Sequence, residues 1–218
     1  TTMSPTMLTG PERAAQSGTT KRLVIFLHGL GADGNDLLSL APMLELPDTH
    51  FASPNAPFAC DMAQYGFQWF SLQDRDPVRI LPEIRTAEPI LNAYIDAQII
   101  KHTITAKDVA LIGFSQGSMM SLHAAPRRAE PIAGVVGISG ALFGAELLAA
   151  EIQSRPPICL IHGTHDEVVP FVAMGAAETT LRAANVNVEA HARPRLGHGI
   201  DEEGIDIAAT FLRRVFGL

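Results

Sequence analysis

Val109-Ala110-Leu111-Ile112-Gly113-Phe114-Ser115-Gln116-Gly117-Ser118-Met119-Met120 is the stretch that decides the fold. Asp108–Ile112 is a short apolar run suited to a buried strand, and Ser115–Ala125 reads as a helix. Only Gly113-Phe114-Ser115-Gln116-Gly117 stands at their junction. A serine there sits on a sharp strand-to-helix turn, where neighbouring Cβ atoms would strike the crossing elements, so glycine is needed on both sides. The turn lifts Ser115 Oγ above the strand end. It also aims the following N–H, that of Gln116, at any oxygen that gathers charge in front of the hydroxyl.

Outward from this turn, short β-branched runs alternate with longer amphipathic ones. Strands are expected at Arg22–Leu27, His50–Ser53, Asp108–Ile112, Ile132–Ile138, Ile158–His162 and Val186–Ala192. Helices are expected at Asn35–Leu46, Glu83–Ile100, Ser115–Ala125, Phe171–Ala184 and Asp201–Val215, with a short one near Ala145–Glu151. Ile84, Ala87, Leu91, Ile95 and Ile99 share one face of the second helix, which Pro89 should kink or shorten in its first turn. Residues 58–81 hold no clear element. Such alternation means βαβ units, a mostly parallel sheet and right-handed crossovers that put helices on both faces. Sites in these sheets lie beyond the carboxyl ends of the strands, so the loops that follow each strand carry the chemistry.

The 218 residues, 47% hydrophobic and 18% charged, suit one globular domain over residues 21–218. The formal net charge of −7 lacks the basic footprint that nucleic acid requires. No apolar run approaches the ~20 residues of a membrane span, so stable membrane insertion is not expected. Residues 1–20, rich in Thr, Ser, Pro and Gly and without an apolar core, read as a flexible arm rather than a signal peptide. Cys60 and Cys159 are too few for a disulfide framework and read as free thiols in a reducing, cytoplasmic setting.

After the first strand comes His28-Gly29-Leu30-Gly31-Ala32-Asp33-Gly34. Its glycines spell the dinucleotide fingerprint, but the next strand ends in Ser53-Pro54-Asn55, with no carboxylate for a ribose. The rival is a loop whose backbone N–H groups turn toward an anion. After the strand at Ile158–His162 comes Gly163-Thr164-His165-Asp166-Glu167. Asp166 suits the carboxylate that orients a base, and Glu167 a solvated neighbour. His162, His165 and Asp166 could suggest a metal, but their spacing matches no zinc motif. After the last strand, His198 lies between Gly197 and Gly199, ahead of the closing helix. His28 should brace the first loop, while His50, His102, His123 and His191 read as structural. The order Ser115, Asp166, His198 is that of the α/β-hydrolases.

These residues resemble the phospholipase/carboxylesterase family of α/β-hydrolases, which includes bacterial carboxylesterases and acyl-protein thioesterases. The likeness runs through Leu27–Gly34, Pro54–Pro57, Trp69-Phe70, Gly113–Gly117, His162-Gly163 with Asp166, Val169-Pro170 and Gly197-His198. Ser118, Ser71 and Leu196 depart from the usual pattern. The resemblance implies an α/β-hydrolase fold, with Ser115 as nucleophile, Asp166 as acid and His198 as base. It implies an oxyanion hole from the N–H groups of Leu30 and Gln116, and a substrate pocket walled in part by Trp69. Phe70 would extend that apolar wall. The expected enzyme is a serine carboxylesterase acting on a small-molecule acyl ester of short to medium chain, with no cofactor and no metal. An acyl-protein thioesterase or lysophospholipase is the alternative, and a hydrolase-fold protein without turnover the remote one. A homodimer is compatible with this reading. With 58–81 and about 140–156 as the only free segments, and neither a long amphipathic helix, the cleft should be open and unlidded.

Overall fold

The computed structural model describes residues 6–218. In chain order it contains β1 (Glu12–Arg13), β2 (Arg22–Leu27), α1 (Asn35–Leu38), β3 (Thr49–Ala52), β4 (Phe58–Ala59), β5 (Phe67–Gln68) and α2 (Pro77–His102). There follow β6 (Val109–Phe114), α3 (Gln116–Ala124), β7 (Gly134–Ile138), α4 (Leu148–Glu151), β8 (Ile158–Gly163), α5 (Val172–Ala183), β9 (Val188–Arg193) and α6 (Glu202–Val215). Seven strands form one sheet in the order β1-β3-β2-β6-β7-β8-β9. All neighbours are parallel except β1 and β3.

The period of two in the strands divides the core. On β2, Leu23, Ile25 and Leu27 join the cluster under α2, α3 and α5, while Val24 and Phe26 join the one under α1 and α6. On β6, Val109 and Leu111 face the first cluster and Ala110 and Ile112 the second. Every side chain in these two runs is buried, as a sheet covered on both faces requires. The chain leaves β2 toward β3 on one side and returns to β6 on the other. A crevice therefore opens beyond the carboxyl ends of β2 and β6, where the glycine loop and Ser115 lie.

Several elements differ from expectation. The helix expected over Asn35–Leu46 is the single turn α1 and a separate 3-10 turn at Ala41–Leu44. Pro42 cannot donate to the carbonyl four residues back, which removes one of the few hydrogen bonds so short a helix could make. Helix α2 is longer than expected and runs through both Pro82 and Pro89. Burial of Ile84, Ala87, Leu91 and Ile95 holds it to the sheet, and Asp76 caps it by accepting from Val78 N, with Pro77 in the first position. Thr103, at φ +54°, ends it. The stretch before α2 is not featureless, because β4 and β5 pair as a small antiparallel hairpin.

The flexible arm is corrected where the structure describes it; its residues 1–5 lie outside the described residues. Glu12 and Arg13 pair with Ala52 and Phe51, and Leu8 and Ala15 are buried. Without this strand, β3 would present an open edge. Glu12 fastens it, accepting from His50 Nε2 at 2.9 Å, Gln98 Nε2 at 3.0 Å and Lys101 Nζ at 2.8 Å. Cys60 and Cys159 are both free thiols. Among the described residues no helix is long and apolar enough to cross a membrane.

Candidate active site

Ser115 joins β6 to α3 with φ +54° and ψ −116°. This region is disfavoured for any residue with a side chain and persists only where the surroundings fix it. The flanking glycines show how. A Cβ on Gly113 would sit 2.3 Å from Gly117 O, and one on Gly117 would sit 1.8 Å from Leu27 O. The helix start thus rests on the strand backbone, and Ser115 has nowhere to go but outward.

His198 reaches Ser115 from the loop before α6. Its Nε2 lies 3.0 Å from Ser115 Oγ, and its Nδ1 lies 2.7 Å from Asp166 Oδ2. A carboxylate only accepts, so the Nδ1–H donates to Asp166 and Nε2 is free to accept from the hydroxyl. The Asp166 side chain is fully buried. Its Oδ1 accepts from Val168 N at 2.9 Å and Val169 N at 2.8 Å. Burial alone would push this carboxyl up, but the hydrogen bonds from His198 and from the Val169 and Val168 amides outweigh it and hold it below the usual carboxylate range. Glu167 is exposed, as expected of a solvated neighbour.

The loop that carries His198 is anchored at three points. Gly163 lets it cross the end of β8, since a Cβ there would lie 2.3 Å from Leu196 O. His165 N donates to Leu196 O at 2.9 Å. Arg193 at the end of β9 pairs with Asp201, which caps α6 by accepting from Gly204 N at 2.8 Å. Gly163 belongs to the His162-Gly163 block of the sequence, but the Arg193–Asp201 pair does not stand out there, because it acts only through the return of the chain.

Leu30 and Ser115 both line the crevice, and Gln116 follows Ser115 as the first residue of α3. A first-turn N–H has no partner within its own helix and is free for an anion. The glycine loop is braced on all sides. His28 Nδ1 donates to Gly29 O at 2.7 Å, and its Nε2 accepts from Ala56 N at 2.9 Å. Burial lowers its tendency to charge, in keeping with a neutral brace. A Cβ on Gly34 would meet Ser53 O at 2.0 Å, and one on Gly66 would meet Gly31 O at 2.0 Å. Two of the fingerprint glycines, Gly31 and Gly34, thus lie against β3 and the hairpin.

The crevice is an open cleft of about 670 Å³, walled chiefly by Leu30, Leu72, Ile80, Phe114, Met119 and Phe143, with Asp36 and Arg75 among its charged members. Trp69 and Phe70 do not line it, which corrects the expectation for both. Each is almost wholly buried. Trp69 Nε1 donates to His28 O at 3.0 Å, so the ring supports the glycine loop from behind. The Gln116 side chain ties the same segment, accepting from Trp69 N at 3.0 Å and donating to Phe70 O at 2.7 Å. Phe70 packs edge-on against Phe143, which does line the cleft. Of the three residues weighed and set aside as a metal site, His162 and Asp166 are buried and His165 is exposed.

The phospholipase/carboxylesterase family model matches residues 10–216. The chain is 26% identical to the acyl-protein thioesterase 1 homolog 1 of Dictyostelium discoideum over 90% of its length and 91% of that protein's. It is 27% identical to carboxylesterase SOBER1 of Arabidopsis thaliana, covering 89% and 90% of the two chains. Among solved structures, esterase PE8 superposes with a TM-score of 0.93 at 37% identity, covering 96% of this chain and all of that one.

Proposed function

We infer the mechanism from one premise: the chain belongs to the phospholipase/carboxylesterase family and is a serine ester hydrolase. Its nucleophile is Ser115, its general base His198, and its orienting carboxylate Asp166. What carries this reading is the continuous contact from Asp166 through His198 to Ser115 at the foot of an apolar cleft. Ser115 Oγ attacks the ester carbonyl carbon as its proton passes to His198 Nε2. Asp166 holds the Nδ1–H and stabilises the imidazolium. The oxyanion is met by the N–H groups of Leu30 and Gln116. His198 then gives its proton to the departing alcohol, and water cleaves the acyl-enzyme with His198 again as base. Residues 21–218 act as one catalytic domain, and the segment before them completes the sheet.

The substrate is a monomeric acyl ester of short to medium chain, an open apolar cleft being suited to it. The thioesterase relative makes a thioester the second candidate. A fluorophosphonate should add once per chain, at Ser115, and Ser115→Ala should lose roughly 10⁵–10⁶ in kcat. A panel of acyl esters and matched thioesters, compared by kcat/KM, separates the two substrate classes. Labelling at another serine, or near-normal turnover by Ser115→Ala, refutes the mechanism.

A further inference from the structure

We propose that His162 is a positioning residue for Asp166, a role that rests on the Ser115–His198–Asp166 reading and deepens it. His162 lies near the end of β8 with its side chain 2% exposed. It takes no part in the contacts between Ser115, His198 and Asp166. Its Nε2 is 2.8 Å from Val169 O and 3.4 Å from Asp166 Oδ2. A carbonyl oxygen only accepts, so the proton must sit on Nε2 and the ring must donate. That one N–H bonds to Val169 O and stands 3.4 Å from the carboxylate oxygen that also receives His198 Nδ1–H.

The consequence is a closed ring of contacts. Val169 donates its N–H to Asp166 Oδ1 and offers its carbonyl to His162. Val169 thus ties the Asp166 carboxylate, through its N–H, and the β8 side chain of His162, through its carbonyl, into one arrangement. Phe171 packs edge-on against the His162 ring, with centroids 6.0 Å apart, and keeps it from turning. With His162 in place, the carboxylate is fixed in rotation and its charge is divided among several donors. Without it, the loop loses its bond to β8 through Val169 O and the carboxylate loses a neighbouring N–H dipole, so its charge falls more heavily on His198. Val169 also lines the cleft, so the same brace steadies part of the acyl wall.

The test compares His162→Phe and His162→Met, which fill the space without a donor, with His162→Gln, whose amide N–H can replace Nε2–H. Each folded variant is assayed on a short acyl ester for kcat, KM and the pH profile of kcat/KM. The low-field proton resonance of the His198–Asp166 hydrogen bond is recorded as well. In the donor-free variants, kcat should fall roughly 10- to 100-fold, as for removal of an outer partner of a catalytic group, with KM little changed. The acid limb of kcat/KM should move upward and the low-field resonance should broaden or shift. His162→Gln should recover most of the rate and return the acid limb. His162→Met carries the test if His162→Phe does not fold. Unchanged kcat and acid limb in a donor-free variant overturn the proposal, as does equal impairment of all three variants with an unmoved acid limb and resonance. Asp166→Asn, run in parallel, separates the levels: if it is harmless the underlying reading fails, and if it is crippling while His162→Phe is normal only the role of His162 fails.

Discussion

Ser115 at φ +54° carries a strain of order 1–3 kcal/mol, which the contacts of Gly113 and Gly117 with the crossing backbone over-determine. The same economy governs Asp166, whose burial is offset by donors that all favour the anion. Its carboxyl is held below the ordinary carboxylate value. Its contribution to stability is therefore present above the unfolded value and is lost as pH falls through the folded one. Across neutral pH it stays charged, and the role proposed for it in catalysis is orientation. Asp166→Asn keeps the shape but can hold the wrong imidazole tautomer, so kcat should fall by up to about 10⁴. Glu167→Gln, at an exposed neighbour, should change kcat little. Steady-state rates on one ester check both, and the reverse pattern would assign the acid to Glu167. The meeting of Ser115, Asp166 and His198 is legible in sequence because each lies in the segment that follows a strand, where this architecture gathers its chemistry. Trp69 is not, since an aromatic in an aperiodic stretch does not reveal which side of a wall it occupies.

Among the elements, those with a sustained period are the legible ones: β2, β6, β8, α5 and α6 lie within a residue or two of where the pattern puts them. The illegible ones depend on contacts distant in the chain. Strand β1 has two residues, too few for any period, and exists because β3 has a free edge beside it. Its clamp is the Glu12 carboxylate. Burial pushes that group up, but hydrogen bonds from Lys101, Gln98 and His50 outweigh burial and bring it from 4.5 to about 2. A depressed carboxyl stabilises the fold above its unfolded value and stops doing so as pH falls toward the folded one, here between about 4.5 and 2. The group is largely solvent-screened, so the effect at pH 7 should be about 1 kcal/mol. Glu12→Gln should thus lower the unfolding free energy by about that much at pH 7, and the difference from the parent should shrink as pH drops below 4. Urea titrations at several pH values measure this; a difference that does not vary with pH would show that Glu12 acts through shape alone.

For the whole molecule, what matters is how the segments outside the sheet surround the cleft. The stretch from the hairpin to the start of α2 supplies Leu72, Arg75 and Ile80, and the loop after β7 supplies Ala141 and Phe143. These segments build walls, and the cleft of about 670 Å³ stays open above them. An acyl chain entering it gains up to ~0.8 kcal/mol for each methylene that leaves water, close to fourfold in kcat/KM. That gain stops where the apolar wall stops, and further methylenes bring only ordering cost. On a series of straight-chain esters, kcat/KM should therefore climb with chain length, level off at medium length and then decline. Phe143 is a large aromatic on the wall away from Ser115, whose neighbour Phe114 is the other, and Phe70 packs edge-on against it. Phe143→Ala should lower kcat/KM for medium chains about 10-fold while sparing the shortest ester, which does not reach it. Loss of the shortest ester's rate as well would mean that Phe143 supports the catalytic groups and not the acyl chain. If the cleft is unlidded, as proposed, no gate needs opening by a lipid surface, and rate should rise smoothly through the critical micelle concentration of a long-chain ester. A sharp jump there would reveal a cover over the cleft and would reassign the two wall segments as a lid.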